Sequence, residues 1–311
     1  MSDRIPAISV IVPAYGVAHF LPEALMSLLA QDFADWEAVV IDDGAPDDVA
    51  AVVAQFASDP RISLLRTDNG GVAMARNRAV AASRAPLIAF LDGDDRLEPD
   101  YLSSMIQAME ADPRIGFVSC DAFNFGIPQR EGHLFSRYAS QIGPVTLDRV
   151  LSRQFNVFIG SVLRRGAFAE VGGFDASLRT VEDLDLWIRI LERGWKGEYV
   201  ARPLSWYRRR SGSASWDERR MLGDAEQVYV RTLERLRDRP EAMAAAAELN
   251  RIRLQLRWTE GERMILNGRV SSGVALLVES GAARRSLRWR IALWFMRLFP
   301  GLASWLVRRR R

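Results

Sequence analysis

Three aspartates crowd into four residues at Asp92, Asp94 and Asp95, directly after the apolar run 87–91. Carboxylates this close repel one another unless a cation lies among them. Mg²⁺ and Mn²⁺ take carboxylate oxygens as ligands and bridge them to diphosphates. The alternative is a solvated acidic turn that caps the next helix. Because a predicted strand ends at these acids, the pattern favours a metal site.

Two further acidic pairs are less specific. Asp42 and Asp43 follow the apolar run 38–41, and they could bind ribose hydroxyls or a base edge, or simply form a turn. Glu182 and Asp183 begin a segment with one apolar face, where acids complement the dipole of a helix. A general base is the competing interpretation of this second pair. The residues alone leave both choices open.

Short apolar runs alternate with amphipathic segments in the first part of the chain. They predict five strands separated by helices, at 8–12, 38–41, 62–65, 86–91 and 115–119. This alternation indicates an α/β fold with a mostly parallel sheet flanked by helices. Ligands bind outside the carboxyl ends of parallel strands, so both aspartate groups are expected at one edge of the sheet. Residues 122–160 are predicted to form loops and a short helix over that site.

The character of the sequence changes near Asp217. From there on, Arg, Glu, Leu and Ala predominate in long helical patterns. We therefore expect two regions, an α/β domain at 1–216 and a helical C-terminal region at 217–311. Neither contains an internal repeat or a low-complexity tract.

Basic charge is concentrated at the C-terminus. Residues 284–311 hold nine Arg and no acid, so a chain of net charge +3 is left with −6 outside this tail. Arg and Trp interleaved with apolar residues are typical of helices that lie in a membrane interface, and Arg297 and Pro300 argue against a spanning helix. We expect the tail to bind an anionic membrane surface. The alternative is a helical pair packed on the first domain; no nucleic-acid-binding pattern accompanies the charge.

Six motifs together resemble, in order and spacing, the inverting family 2 glycosyltransferases over roughly residues 8–215. They are Ser9-Val10-Ile11-Val12-Pro13-Ala14-Tyr15, Ile41-Asp42-Asp43-Gly44, Asn69-Gly70-Gly71 with Ala75-Arg76-Asn77, Phe90-Leu91-Asp92-Gly93-Asp94-Asp95, Gly172-Gly173-Phe174-Asp175, and Glu182-Asp183 with Leu186-Trp187. Each motif alone is weak, whereas six in the right order are specific. The resemblance implies a GT-A type fold, a nucleoside-diphosphate-sugar donor and Mn²⁺ or Mg²⁺ as cofactor.

The resemblance also implies roles for single residues. Asp183 would be the base that takes the proton of the acceptor hydroxyl, with Glu182 as the second candidate. Asp94, Asp92 and Asp95 would form the metal site, and Asp94 would be its direct ligand. The nucleotide sugar would contact Pro13, Tyr15, Asp42, Asp43, Arg76, Asp92 and Asp94. One displacement at the anomeric carbon, assisted by a base on the opposite face, inverts that carbon.

One stretch departs from the family pattern. Many relatives carry Tyr-Arg-x-His after the catalytic helix, but here Arg210 stands at the place of the His, after Tyr207 and Arg208. An Arg cannot ligate a cation, but it can pair with a diphosphate. We predict that Arg208 or Arg210 helps to neutralise the leaving group. The alternative is a solvated basic loop.

Three other functions compete with glycosyl transfer. A dinucleotide-binding oxidoreductase needs a Gly-rich turn after its first strand, where this chain has Pro13-Ala14-Tyr15-Gly16. A phosphatase with an aspartate nucleophile would have Thr or Val in place of Arg96. A non-catalytic scaffold that binds sugar nucleotides or glycans would keep the fold, but the intact acidic motifs argue against it.

The sequence also indicates a compartment. Cys120 is the single cysteine, and Asp3 and Pro13 interrupt any signal-peptide pattern at the N-terminus. We expect a cytoplasmic protein, peripheral to the inner face of the cell membrane. The acceptor is expected to be a glycan or a lipid-linked molecule in the synthesis of a cell-surface polysaccharide, and UDP is the default base of the donor.

Overall fold

The computed structural model describes residues 4–210, 217–281 and 287–308. The chain divides into two compact units, Met1–Trp216 and Asp217–Arg311. In the first unit, helices flank a sheet of eight strands; the described residues of the second unit form helices and their connections. The expected fold class, a mostly parallel α/β sheet followed by a helical extension, is confirmed.

The sheet lies in the first unit. Its strands are β1 (Ile8–Ala14), β2 (Trp36–Asp43), β3 (Ile62–Thr67), β4 (Leu87–Phe90), β5 (Arg96–Leu97), β6 (Ile115–Phe125), β7 (Val162–Arg164) and β8 (Lys196–Arg208). They are ordered β3-β2-β1-β4-β7-β6-β8-β5. Strands β3, β2, β1 and β4 are parallel, and β6 is parallel to β8, whereas β7 and β5 run antiparallel to their neighbours. The carboxyl ends of β1, β2 and β4 therefore meet at one edge.

Helices connect and cover these strands. They are α1 (Leu21–Leu29), α2 (Val49–Ala54), α3 (Val72–Ala82), α4 (Tyr101–Glu110), α5 (Leu147–Leu151), α6 (Arg165–Glu170) and α7 (Glu182–Glu192), with a 3₁₀ turn at Phe135–Arg137. Two of them, α3 and α7, carry residues of the candidate site.

The central strand β1 is buried on both faces, and its sequence is therefore a continuous apolar run rather than an alternation. Ser9 is the polar exception. Its hydroxyl donates to Glu37 Oε1 (2.7 Å) and accepts from the amide of Ala85 (3.0 Å). Both hydrogen-bonding capacities of this buried group are thus satisfied, as a close-packed interior requires.

All five predicted strands are present, but the sheet extends beyond them. Strands β5 and β7 contain only two and three residues, too few to produce a recognisable period. Strand β8 is mostly half-exposed and includes Pro203, and it therefore lacks a continuous apolar run. Strand β6 continues to Phe125, beyond the predicted end at Ser119.

The second unit is helical. Its helices are α8 (Glu218–Arg235), α9 (Ala242–Leu266), α10 (Val270–Glu279), α11 (Leu287–Leu298) and α12 (Pro300–Arg308). Helices α9 and α10 approach closely at Gly261 and Gly273, since a Cβ on Gly273 would lie 2.6 Å from the carbonyl oxygen of Gly261. None of the helices in the described ranges is long and apolar enough to cross a membrane. Residues 284–286 and 309–311 of the basic tail lie outside the described residues.

Candidate active site

The turn after β4, residues 92–95, is here named the acidic turn. It is fixed against the end of β1, because the amide of Leu91 donates to Ile11 O (3.0 Å) and that of Gly93 donates to Pro13 O (3.2 Å). A Cβ on Gly93 would lie 2.9 Å from that same Pro13 oxygen, so the close approach needs glycine. The structure thus brings Pro13 and the acidic turn together.

Each carboxylate of the acidic turn has a partner. Asp92 Oδ1 accepts from Arg76 (2.6 Å), and Asp94 Oδ2 accepts from Arg210 Nε (2.6 Å). The buried Asp95 accepts from the backbone amide of Arg208 (2.7 Å), whose side chain in turn donates to the carbonyl oxygen of Asp94 (2.7 Å). Arg208 at the end of β8 and Arg210 just after it therefore place positive charge against the acidic turn.

The acidic turn nevertheless holds an excess of negative charge. Burial, followed by the charge of Asp92, raises the pKa of Asp94, although Arg210 opposes this shift. Burial and the charges of Asp94 and Asp92 raise the pKa of Asp95 well above its usual range. Burial and mutual repulsion thus disfavour the ionised carboxylates of this turn.

This donor set fits a hard divalent cation. In the described ranges no group of three or more His, Cys, Asp or Glu side chains forms a complete protein site for a metal ion. Mg²⁺ and Mn²⁺ sites of nucleotide enzymes commonly use one or two carboxylates, with phosphate oxygens and water as the other ligands. Asp94 and Asp92 are the residues that could hold such an ion, whereas Asp95 is buried behind them against the Arg208 amide.

Arg76 connects the acidic turn to the start of α7. It lies on α3 and is only 2% exposed. One terminal nitrogen donates to Asp92 (2.6 Å) and the other to Glu182 Oε1 (2.5 Å). Burial disfavours the charged guanidinium, but the two carboxylates outweigh it and raise the pKa of Arg76. Two acidic groups that are 90 residues apart in sequence thus share one cation.

Helix α7 begins at Glu182, after Val181 in a left-handed conformation (φ 52°) that β-branched residues rarely adopt. Burial raises the pKa of Glu182 to about 7, with Arg76 opposing and Asp183 adding to the shift. Burial also raises the pKa of the half-buried Asp183, while its hydrogen bond from the Leu184 amide (2.8 Å) and the charge of Arg76 oppose the rise. The pKa values of these two carboxyls are therefore closer to neutral pH than those of ordinary acids, as a general base requires.

Asp42 and Asp43 are buried at the end of β2. Both oxygens of Asp43 accept backbone amides, from Gly70 and Gly71 (2.9 Å each), and Asn69 donates to its carbonyl oxygen (2.9 Å). Asp42 accepts from the amide of Ala45 (2.8 Å) and from Arg66 (3.2 Å). In the structure, Asp43 stabilises the turn that begins α3. Its contact with the nucleoside stays a prediction.

Tyr15 is the exposed aromatic side chain beside this edge of the sheet, with 54% of its surface accessible. Its loop is fixed by Asp47, whose carboxylate accepts from the amides of Gly16 (3.0 Å) and Ala18 (2.6 Å). An exposed ring at the ligand edge can stack on a nucleobase. Asp47 is 31 residues from Gly16 in sequence, so no local sequence pattern predicts that it fixes the Tyr15 loop.

Arg153 is a second residue that the sequence did not indicate. Its positive charge lowers the pKa of Asp183, opposing the effect of burial. It is also one of two non-glycine residues in the described ranges with positive φ (59°). Arg153 lies in the stretch 122–160, where the sequence gives no periodic signal.

Comparisons with known proteins identify the family of this chain. The sequence model described as "Glycosyl transferase family 2" matches residues 9–172, and this chain belongs to that family. It is 27% identical over 242 residues to the putative teichuronic acid biosynthesis glycosyltransferase TuaG of Bacillus subtilis, covering 76% of this chain and 92% of the relative. It is also 27% identical over 195 residues to the chondroitin synthase of Escherichia coli, covering 61% of this chain and 27% of that enzyme.

Solved structures share the fold. S. aureus TarS 1-349 in complex with UDP-GlcNAc superposes with a TM-score of 0.67 at 18% identity, over 96% of this chain and 90% of the other. The mannosyltransferase PcManGT from Pyrobaculum calidifontis, in complex with GDP-Man and Mn²⁺, superposes with a TM-score of 0.64 at 21% identity, over 97% and 84%. These similarities confirm the GT-A type architecture expected from the sequence.

Proposed function

We propose that this chain transfers a sugar from a nucleoside-diphosphate sugar to a hydroxyl of a glycan or lipid-linked acceptor, with inversion at the anomeric carbon. The observation that carries the proposal is the bridge formed by Arg76, which holds Asp92 of the acidic turn and Glu182 of α7 beside one another. A leaving-group site and a base must flank the same anomeric carbon. Relatives named for teichuronic acid and chondroitin synthesis support a polysaccharide product.

Asp94 and Asp92 would hold Mn²⁺ or Mg²⁺ together with the donor diphosphate. When bound, the cation supplies positive charge that stabilises the diphosphate as it leaves. Arg210, which forms an ion pair with Asp94 and stands where many relatives carry His, would pair with the same diphosphate. Arg208 supports this arrangement from the backbone side of Asp94.

Asp183 would accept the proton of the attacking hydroxyl. An alcohol is a weak nucleophile, and a positioned carboxylate assists its deprotonation. Asp183 is half-buried, whereas Glu182 is buried and bonded to Arg76, so Asp183 is the better placed of the two. In this scheme Glu182 and Arg76 are positioning residues that fix the start of α7 relative to the acidic turn.

The basic tail favours a location at the cytoplasmic face of the membrane. That leaflet carries the anionic lipids that attract polybasic segments. A lipid-linked acceptor, or a polysaccharide growing at the membrane, would be available there.

Calorimetric titration of UDP, GDP and dTDP, with Mn²⁺ and with a chelator, tests the donor site. We expect one nucleotide to bind in a metal-dependent manner, and Asp94→Asn to weaken that binding at least about tenfold, because a charged ligand is lost. Release of nucleoside diphosphate from the matching sugar donor then tests catalysis. Nucleotide binding without any turnover would instead indicate a non-catalytic scaffold, and no binding under any condition would refute the donor site.

A further inference from the structure

The last two helices are apolar on two opposite sides. On α11, Leu293 and Met296 are buried in a hydrophobic cluster with Trp258, Ile265 and other residues of the same unit. Ile291, Trp294, Phe295 and Leu298 follow the helical spacing i, i+3, i+4 and i+7 and are exposed. At 3.6 residues per turn this second stripe lies on the side of α11 opposite the buried one.

The exposed stripe continues from α11 into α12. We name the whole surface the aromatic face; it comprises Ile291, Trp294, Phe295, Leu298, Phe299, Leu302 and Trp305. Three of its rings are contiguous, since the Phe295 centroid lies 5.3 Å from that of Trp294 and 5.9 Å from that of Phe299. Trp294 is 58% and Phe299 50% exposed. A contiguous exposed apolar patch of this kind marks an interaction surface.

The charge around the aromatic face limits what can cover it. Arg290, Arg297 and Arg308 are exposed on the same two helices. Residues 284–311 contain nine Arg and no acid. A second copy that paired through the same face would place the same positive charge against it, which is unfavourable. A surface that is apolar inside and negatively charged outside is complementary to both features, and an anionic bilayer has this structure.

We propose that the aromatic face inserts into the interface of an anionic membrane, with the neighbouring Arg side chains on the lipid headgroups. The sequence predicts that the basic tail binds an anionic membrane surface. The structure adds which residues would do so, because it separates a stripe that packs within the second unit from a stripe that is exposed. Trp and Phe bodies suit the boundary between headgroups and acyl chains. Membrane binding of this kind needs neither donor nor acceptor, so it stands apart from the proposed reaction.

Co-sedimentation of the full chain with vesicles tests the proposal. The vesicles contain phosphatidylcholine alone, or phosphatidylcholine with phosphatidylglycerol, at low salt. The double variant Trp294→Ser, Phe299→Ser removes two exposed rings that contribute nothing to the buried cluster. Met243→Ser is the matched control, because Met243 is 80% exposed on α9 of the same unit but lies outside the aromatic face. Thermal unfolding of all three proteins verifies that the variants fold.

We expect the wild type and Met243→Ser to bind vesicles containing phosphatidylglycerol and to bind phosphatidylcholine much more weakly. The double variant should bind the anionic vesicles at least about tenfold more weakly, because the apolar part of the interaction is lost. Failure of the wild type to bind anionic vesicles at low salt would overturn the proposal. So would undiminished binding of the double variant, or a wild-type dimer in light scattering that the double variant converts to a monomer.

Discussion

At the scale of the residue, the site is organised by one buried guanidinium among several acids. Arg76 donates to Asp92 and Glu182, and its charge also acts on Asp183. The charge of Arg76, together with that of Arg153 on Asp183, does not fully compensate three buried or half-buried carboxylates. The raised pKa values of Glu182 and Asp183 follow from this imbalance and from burial.

Replacing Asp183 by Asn tests the assignment of the base. The amide keeps the size of the side chain but cannot accept the proton of the acceptor hydroxyl. We expect kcat to fall by about 10²- to 10⁴-fold, the usual contribution of a general base. Nucleotide affinity, measured by calorimetry, should be unchanged. If the variant kept the wild-type kcat, Asp183 would not be the base, and Glu182 would be the next candidate to test.

The pH dependence of folding tests the environment of Glu182. Its pKa is raised from 4.5 to about 7, mainly by burial. The protonated side chain therefore stabilises the fold fully below pH 4.5, and this contribution is lost as the pH rises through 7. Linkage makes the loss about 3 kcal/mol. Glu182→Gln does not titrate, so the unfolding free energy of the wild type relative to this variant should fall by about that amount between pH 4.5 and pH 8.

Urea unfolding at several pH values measures this difference, and titrating groups that do not interact with Glu182 cancel in the comparison of the two proteins. A difference that is constant with pH would show that Glu182 remains ionised beside Arg76 throughout. The ion pair would then outweigh burial, and the pKa of Glu182 would not be raised.

At the scale of the element, the turn between β3 and α3 determines where Arg76 lies. Asp43 at the end of β2 binds the amides of Gly70 and Gly71, and α3 follows directly at Val72. The backbone of Gly44 approaches the same turn, since a Cβ there would lie 2.8 Å from the amide nitrogen of Asn69. The end of β2 and the turn that begins α3 are thus packed too closely for a Cβ at Gly44.

Gly44→Ala should destabilise the protein more than Gly16→Ala. Both glycines have φ of 65°, but a Cβ at Gly16 would meet nothing within 4 Å. Gly16→Ala therefore carries only the left-handed penalty of about 1 kcal/mol, whereas Gly44→Ala adds a backbone clash and should cost about 2 kcal/mol or more. Denaturant unfolding of the two variants measures the difference. Equal losses of unfolding free energy in the two variants would mean that the turn at Gly44 shifts to accept the Cβ at no cost in stability.

The elements that the sequence predicted are those with a repeated physical constraint. Strands β1, β2 and β4 are buried on both faces, so most of their residues are apolar and each strand is recognisable as an apolar run. The half-exposed β8 has no such constraint, and β5 and β7 are too short to show one. The acidic turn was predictable because its position depends on the end of a visible strand.

The connections within the site were not predictable in the same way. A guanidinium at Arg76, in the middle of a helix, would ordinarily be assigned to solvent. Its burial depends on Glu182, 106 residues away in sequence, and on Asp92. The effect of Arg153 on Asp183 likewise depends on tertiary structure alone. The resemblance to family 2 identified the candidate site residues. The structure shows that Arg76 connects Asp92 with Glu182.

At the scale of the whole molecule, charge and chemistry are segregated along the chain. The candidate site uses residues of the first unit, whereas nine of the Arg residues lie at the end of the second, in a chain whose remainder has a net charge of −6. Interactions between exposed charges are screened beyond about 8 Å at physiological ionic strength. An anionic surface is therefore attracted mainly by the charges of the segment that touches it, and residues 284–311 carry positive charge only.

The segregation predicts that membrane binding and nucleotide binding are independent. Calorimetric affinity for the preferred nucleotide with Mn²⁺ should be the same, within about twofold, for the wild type and for the Trp294→Ser, Phe299→Ser variant, and it should not change when anionic vesicles are present. Vesicle binding of the wild type should instead fall steeply as salt is raised from about 50 to 500 mM, because the Arg contribution is screened. Nucleotide affinity that dropped in the variant would show that α11 and α12 contribute to the donor site. Their aromatic side chains would then act on the substrate as well as on the membrane.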